Sequence, residues 1–158
     1  MKARIVIVMG SKGNLEHANK IAAQLAAWEI PCTLRVASAH KSVRHLLALL
    51  EQYNRGDETI VFITVAGRSN ALGGMVDANT PWPVIACPPV SSAFGGADIY
   101  SSLRMPSGVA PLVILEPEGA ALAAAKILAT ADPALRARLT AFQGQMATSI
   151  VEADQSLC

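Results

Sequence analysis

The feature that most narrows the fold is a series of short apolar runs separated by helical patterns. Ile5-Val6-Ile7-Val8-Met9 and Ile60-Val61-Phe62-Ile63-Thr64-Val65 are nearly unbroken stretches of β-branched and other apolar residues. A strand with one wet face alternates apolar and polar side chains, whereas an unbroken run suits a strand covered on both faces. Thr33-Leu34-Arg35-Val36, Val84-Ile85-Ala86-Cys87 and Pro111-Leu112-Val113-Ile114-Leu115 are shorter candidates of the same kind. After the first run, Leu15, Ala18, Ile21, Ala22, Leu25 and Trp28 recur with the spacing of one helical face. Strand, glycine-containing turn, helix and strand make a βαβ unit.

The pattern repeats along the chain. Val43, Leu46, Leu47, Leu50 and Tyr53 mark a second amphipathic helix, closed near Arg55-Gly56. A shorter helix runs through Leu72, Met75 and Val76, and an alanine-rich one covers 119–128. Pro88-Pro89 opens a long irregular segment over 90–108, in which 97–104 has the pattern of a short helix. Loops of that length are usually functional or covered by a partner. Asp132 then offers an N-cap and Pro133 a first helical residue for the last helix. Its apolar residues Leu135, Leu139, Phe142, Met146, Ile150 and Ala153 step at about 3.5 residues, which fits either a seam between subunits or a helix lying back on its own domain. The expectation is an α/β three-layer sandwich with a central parallel sheet, flavodoxin-like or Rossmann-like, as one domain over 1–158 with its core at 4–130 and a C-terminal helix at 132–155.

Composition bounds the partners. Of the 158 residues, 52% are apolar and only 16% charged, which is sparse for a monomer's surface; either the sheet is covered on both faces or part of the outside is buried against other subunits. A net charge of +1 gives no reason to expect nucleic acid or an acidic membrane. No apolar run approaches the roughly 18 residues of a membrane span. Cys32, Cys87 and Cys158 form no C-x-x-C pair or disulfide framework, and the chain passes from Met1 almost directly into a strand, so a reducing cytoplasmic setting without a signal peptide is expected.

Three strand-to-helix turns carry the candidate chemistry, since open α/β sheets bind ligands at the carboxyl ends of their strands. Gly10-Ser11-Lys12-Gly13-Asn14 precedes a helix N-terminus, where free N–H groups and the helix dipole favour a phosphate; an ordinary turn capped by Asn14 fits the same residues. The G-x-G-x-x-G and P-loop spacings are absent. Ser38-Ala39-His40-Lys41 places an imidazole where burial and the neighbouring lysine favour its neutral form, suited to general acid–base work, although a structural histidine fits as well. Lys41 suits neutralising a phosphate or carboxylate, and equally fits a solvated lysine at a helix start. Ala66-Gly67-Arg68-Ser69-Asn70 offers a guanidinium fork for a carboxylate, or for a salt bridge at an interface. His17 and His45 fall within helical patterns and read as surface or structural residues; no spacing resembles a zinc site.

Met9-Gly10-Ser11, Ser38-Ala39-His40-Lys41, Ala66-Gly67-Arg68-Ser69-Asn70, Ala86-Cys87-Pro88-Pro89 and Ser101-Ser102-Leu103-Arg104-Met105-Pro106-Ser107-Gly108 follow one another in an order that resembles the aminoimidazole ribonucleotide carboxylase family of purine biosynthesis, over residues 5–130. One branch of that family is a mutase, typically with arginine at the Lys41 position and a second histidine at the Ala71 position. Lys41, Arg68-Ser69-Asn70 and Ala71 resemble instead the branch shared with animals, which adds carbon dioxide directly to the ribonucleotide without ATP, biotin or metal. The resemblance implies His40 as the proton shuttle. It implies Ser11, Lys41 and the glycine turn at Gly10 for the ribose phosphate, Arg68 and Ser69 with nearby backbone N–H groups for the carboxylate, and Asn14, Ser38, Ala39, Ala66, Gly67 and Asn70 as further substrate-binding residues. Asn14 stands where the family usually has an aspartate on the ribose hydroxyls, and Val43 where it often has a proline. The alternatives are the mutase and a ribonucleotide-binding module without catalysis. No cofactor is implied, and a homo-oligomer, octamer or tetramer, is.

Overall fold

A computed structural model describes residues 2–157; Met1 and Cys158 lie outside the described residues, and so do the expectations resting on them. Five parallel strands, β1 (Ala3–Met9), β2 (Cys32–Val36), β3 (Thr59–Val65), β4 (Val84–Ala86) and β5 (Leu112–Val113), lie in the order β2-β1-β3-β4-β5. Six α-helices connect or follow them: α1 (Leu15–Ala27), α2 (Val43–Asn54), α3 (Ala71–Asp77), α4 (Tyr100–Leu103), α5 (Pro117–Ala129) and α6 (Pro133–Gln155). This is a doubly wound, flavodoxin-like sheet with the expected three layers.

The unbroken apolar runs are explained by two cores. Ile5, Ile7 and Met9 of β1 and Val61, Ile63 and Val65 of β3 face α1, α5 and the start of α6. Val6, Val8, Ile60 and Phe62 face the opposite way, toward Leu46, Leu49 and Leu50 of α2 and Leu72 and Val76 of α3. Ala120, Ala121, Ala124 and Ala125 are fully buried, and their small side chains let α5 lie close on the sheet and on α1. Trp28 meets Phe142 edge-on at 5.5 Å between ring centres, tying α6 to the end of α1.

Three elements differ from expectation. β5 is only two residues long, because it is an edge strand whose pairs are Ile85 with Leu112 and Ala86 with Val113. The segment 97–104 splits into a 3-10 turn at Ala97–Ile99 and the single turn of α4. The last helix lies back on its own domain over its first turns only. Asp132 Oδ1 caps α6 through the Leu135 amide at 3.0 Å, and Leu135 and Leu139 are buried on their own domain. Further along, Met146 is 55% and Ile150 71% exposed.

The sheet register matters most for function. Met9 pairs with Val36 on one side and with Val65 on the other, so β1, β2 and β3 end level. The ladder runs one step further through Ala37 N–H to Met9 O at 2.9 Å and Gly10 N–H to Val65 O at 3.0 Å. Three loops therefore leave the sheet side by side.

Candidate active site

Those three loops enclose a cavity of about 470 Å³, within the range of roughly 300–1,000 Å³ usual for small-ligand sites. Gly10, Ser11 and Asn14 line it from the β1 loop, Ser38, Ala39, His40 and Lys41 from the β2 loop, and Ala66, Gly67, Arg68 and Ser69 from the β3 loop. Leu72 of α3, which sequence reasoning had not placed there, completes the wall.

In the first loop, Ser11 is extended and a 3-10 turn at Lys12–Asn14 runs directly into α1. The first amides of such a helical start have no partner within the helix, which leaves them available to an anion. Asn14 does not cap α1 through its side chain; instead its Oδ1 accepts from Ser11 Oγ at 3.5 Å. The capping alternative for Asn14 is thus corrected: both polar side chains sit at the cavity.

The second loop is a hydroxyl-closed turn. Ser38 Oγ accepts from the amides of His40 at 3.3 Å and Lys41 at 3.2 Å, while the Ser38 amide donates to Ser42 Oγ at 2.8 Å. Serine at such positions gives the backbone local partners that a helix or strand would otherwise supply. His40 and Lys41 are exposed. The burial expected around His40 is therefore absent in the single chain, because the turn projects from the sheet edge rather than lying under a helix.

The third loop holds an unusual backbone. Arg68 has φ of 68°, and the Ser69 amide donates to Gly67 O at 2.9 Å across it. An i to i+2 bond around a positive φ is the strained form of γ-turn, and a non-glycine residue there costs roughly 1–2 kcal/mol. The bend sends Arg68 and Ser69 to the exposed side of the loop and Asn70 inward. Asn70 is buried, and its Oδ1 accepts from the Gly73 amide at 3.2 Å as the cap of α3. Expected beside the ligand, Asn70 is absent from the cavity lining; its short side chain satisfies the helix start instead. Among the described residues no carboxylate pairs with the guanidinium of Arg68 or the ammonium of Lys41.

His17 and Cys87 are structural. His17 Nε2 lies 3.3 Å from Cys87 Sγ, joining α1 to the end of β4. Burial, then Lys20, lowers the His17 pKa, while burial and the nearby Glu116 and Glu118 push the Cys87 thiol up to about 12. His45 is exposed on α2. Among the described residues, no group of three or more histidine, cysteine, aspartate or glutamate side chains is placed to hold a metal. A second cavity of about 320 Å³ lies at the opposite edge of the sheet, and its charges are largely matched, Arg4 with Glu58 at 2.9 Å and Arg138 with Glu29 at 3.2 Å. At the carboxyl edge, by contrast, Lys41 and Arg68 line the cavity without such a partner among the described residues.

A doubly wound sheet, with a small-ligand cavity between β2, β1 and β3 and cations facing it, defines an α/β protein built to hold a compact anionic molecule. The AIR carboxylase family model matches residues 4–149, and the chain belongs to that family. It is 54% identical to the phosphoribosylaminoimidazole carboxylase of Archaeoglobus fulgidus, over 99% of this chain and 85% of that one. The crystal structure of Treponema denticola PurE superposes with a TM-score of 0.96 at 44% identity, covering 99% of both chains. The bifunctional phosphoribosylaminoimidazole carboxylase/phosphoribosylaminoimidazole succinocarboxamide synthetase of Rattus norvegicus is 40% identical over 99% of this chain, which spans 37% of that longer protein.

Proposed function

We propose that this cavity carries out the carboxylation of aminoimidazole ribonucleotide with carbon dioxide itself, with His40 as the proton shuttle. The observation that carries the reading is the convergence of His40, Lys41, Arg68 and Ser11 on one cavity at the level ends of three adjacent strands. Aminoimidazole is an enamine, so its ring carbon is nucleophilic without a cofactor. That carbon's electron pair forms the new bond to carbon dioxide, and one C=O pair moves onto oxygen. His40 then takes the ring proton, which restores the aromatic ring and leaves a carboxylate.

The protein's share is positioning and charge. Ser11, Lys41 and the amides of the first loop hold the ribose phosphate, and Asn14 reaches the ribose. Arg68 and Ser69, with backbone N–H groups of Ala66 and Gly67, face the carboxylate as it forms. Ser38 and Ala39 set the floor and hold the His40 turn. Lys41 and Ala71 favour direct use of carbon dioxide over the mutase reaction, since Ala71 offers no second imidazole. Turnover of aminoimidazole ribonucleotide on addition of bicarbonate and carbonic anhydrase tests this choice. Turnover only of the carboxyamino isomer, with no bicarbonate requirement, would replace it by the mutase; ribonucleotide binding without either reaction would leave a binding module.

The exposed outer half of α6 supports reading the chain as a subunit of a homo-oligomer, octamer or tetramer, with that helix at an interface. The unbroken family match over 4–149 supports a single domain. Among the described residues no helix is long and apolar enough to cross a membrane; that and the biosynthetic activity of the relatives support a place in the cytoplasm.

A further inference from the structure

The γ-turn at Arg68 does not hold itself. Its one internal bond, Ser69 N–H to Gly67 O, leaves the Arg68 and Asn70 amides to find partners outside the loop. Both are taken by a segment some thirty residues further on: Arg68 N–H donates to Asp98 Oδ2 at 3.4 Å, and Asn70 N–H donates to Ser101 Oγ at 3.0 Å. The Ser101 hydroxyl donates in turn to Asp98 O at 2.8 Å, with Arg68 O also within reach at 3.5 Å. Two side chains, Asp98 from the 3-10 turn before α4 and Ser101 from α4 itself, thus grip the backbone on either side of the bend. Neither lines the cavity.

We infer that Asp98 and Ser101 are positioning residues that set the Arg68 guanidinium for the carboxylate. The inference rests on the carboxylase reading and deepens it. An arginine at positive φ relaxes to ordinary extended or helical backbone unless its surroundings over-determine it. Relaxation would swing the side chain away from the wall it shares with His40 and Lys41. The grip is also separable from the rest of the site. The segment carrying it leaves the β4 end through Gly95 and Gly96, both at positive φ, with no atom near where a Cβ would stand. The Asp98 and Ser101 contacts reach the β3 loop and not the β1 and β2 loops to which the proposed function gives the ribose phosphate. A contact that acts only on Arg68 should affect recognition of the carboxyl group and not that of the ribonucleotide.

The test compares binding of aminoimidazole ribonucleotide with binding of its carboxylated product by calorimetry on the intact protein, alongside carboxylation rates. Ser101→Ala is expected to weaken product binding about tenfold, about the worth of one Arg68–carboxylate hydrogen bond, and to leave binding of the uncarboxylated ribonucleotide within twofold. Ser101→Thr, which keeps the hydroxyl, should retain most of the product affinity, and Asp98→Asn should fall between. In an Arg68→Ala background, Ser101→Ala should add nothing further, because its effect passes through Arg68. Equal weakening of both ligands, or losses that multiply with Arg68→Ala, would overturn the inference. So would a wild-type protein without preference for the carboxylated ligand. Wild-type preference for that ligand without carboxylation would sink the carboxylase reading alone. Circular dichroism and melting of each variant separate these outcomes from misfolding.

Discussion

The Ser38 amide donates to the Ser42 hydroxyl at 2.8 Å, closing from below the turn that presents His40. Ser42 is four residues from Ser38 and does not line the cavity, yet it fixes the geometry of the residue assigned to proton transfer. Ser42→Ala should lower stability by about 0.5–1.5 kcal/mol, the net worth of one such bond. The rate of carboxylation should fall while ribonucleotide affinity holds. Denaturant unfolding and steady-state kinetics measure the two effects.

His40→Ala removes the proposed shuttle. Carboxylation is expected to drop by about 10²- to 10⁴-fold, the usual contribution of general acid–base catalysis. Because His40 is exposed and its turn is closed by serine hydroxyls, melting should change little. A near wild-type rate would remove His40 from the mechanism.

The Asn14 side chain faces the same cavity with a neutral oxygen. Asn14→Asp would offer a carboxylate to the ribose hydroxyls, and charge-assisted hydrogen bonds are shorter and stronger than neutral ones. Ribonucleotide affinity should rise several-fold, about the effect of 1 kcal/mol of added binding, as read by calorimetry.

His17 supplies the pH dependence. Burial holds its pKa below the ordinary 6.5, so between the folded value and 6.5 the unfolded chain binds more protons than the native one. The native preference for neutral His17 is retained above 6.5 and lost as pH falls through that window. Denaturant midpoints should therefore fall below pH 6.5, and His17→Gln should flatten part of that fall. At the same contact, the Cys87 thiol stays protonated at neutral pH, with its pKa pushed up to about 12. Iodoacetamide should leave Cys87 unmodified in the native protein and modify it on unfolding, as peptide mass mapping would show.

The sheet could be read from the sequence because burial on both faces leaves an unbroken apolar run, a local signal that needs no knowledge of the neighbours. The Gly10, Ser38 and Ala66 turns could be placed because each follows such a run. Asn70 could not be read correctly. Whether it faces ligand or helix depends on the bend at Arg68, and arginine gives no sequence sign of a positive φ. Asp98 and the use made of Ser101 were equally hidden. Their partners are thirty residues away, and the length of the 90–108 loop and the family-like motif at 101–108 hinted only that the segment had work to do. The exposed position of His40 reflects a turn closed by its own hydroxyls, which composition cannot distinguish from a buried one.

The outer half of α6 gives the last prediction. Met146 and Ile150 present apolar side chains on a helix whose first turns alone are anchored. Replacing both with glutamate should reduce the assembly's mass in light scattering while leaving the helical signal of each subunit nearly intact. An unchanged mass would place the interface elsewhere.

The level ends of β1, β2 and β3 have an evolutionary consequence. With Met9 paired to both Val36 and Val65, the cavity's three walls are measured from one line across the sheet. Lengthening any one of these strands by a residue would raise its loop by about 3.3 Å and turn its side chains over. Insertions and deletions should therefore collect at the opposite edge and in the 90–108 segment, while these three strands keep a fixed length as their sequences drift.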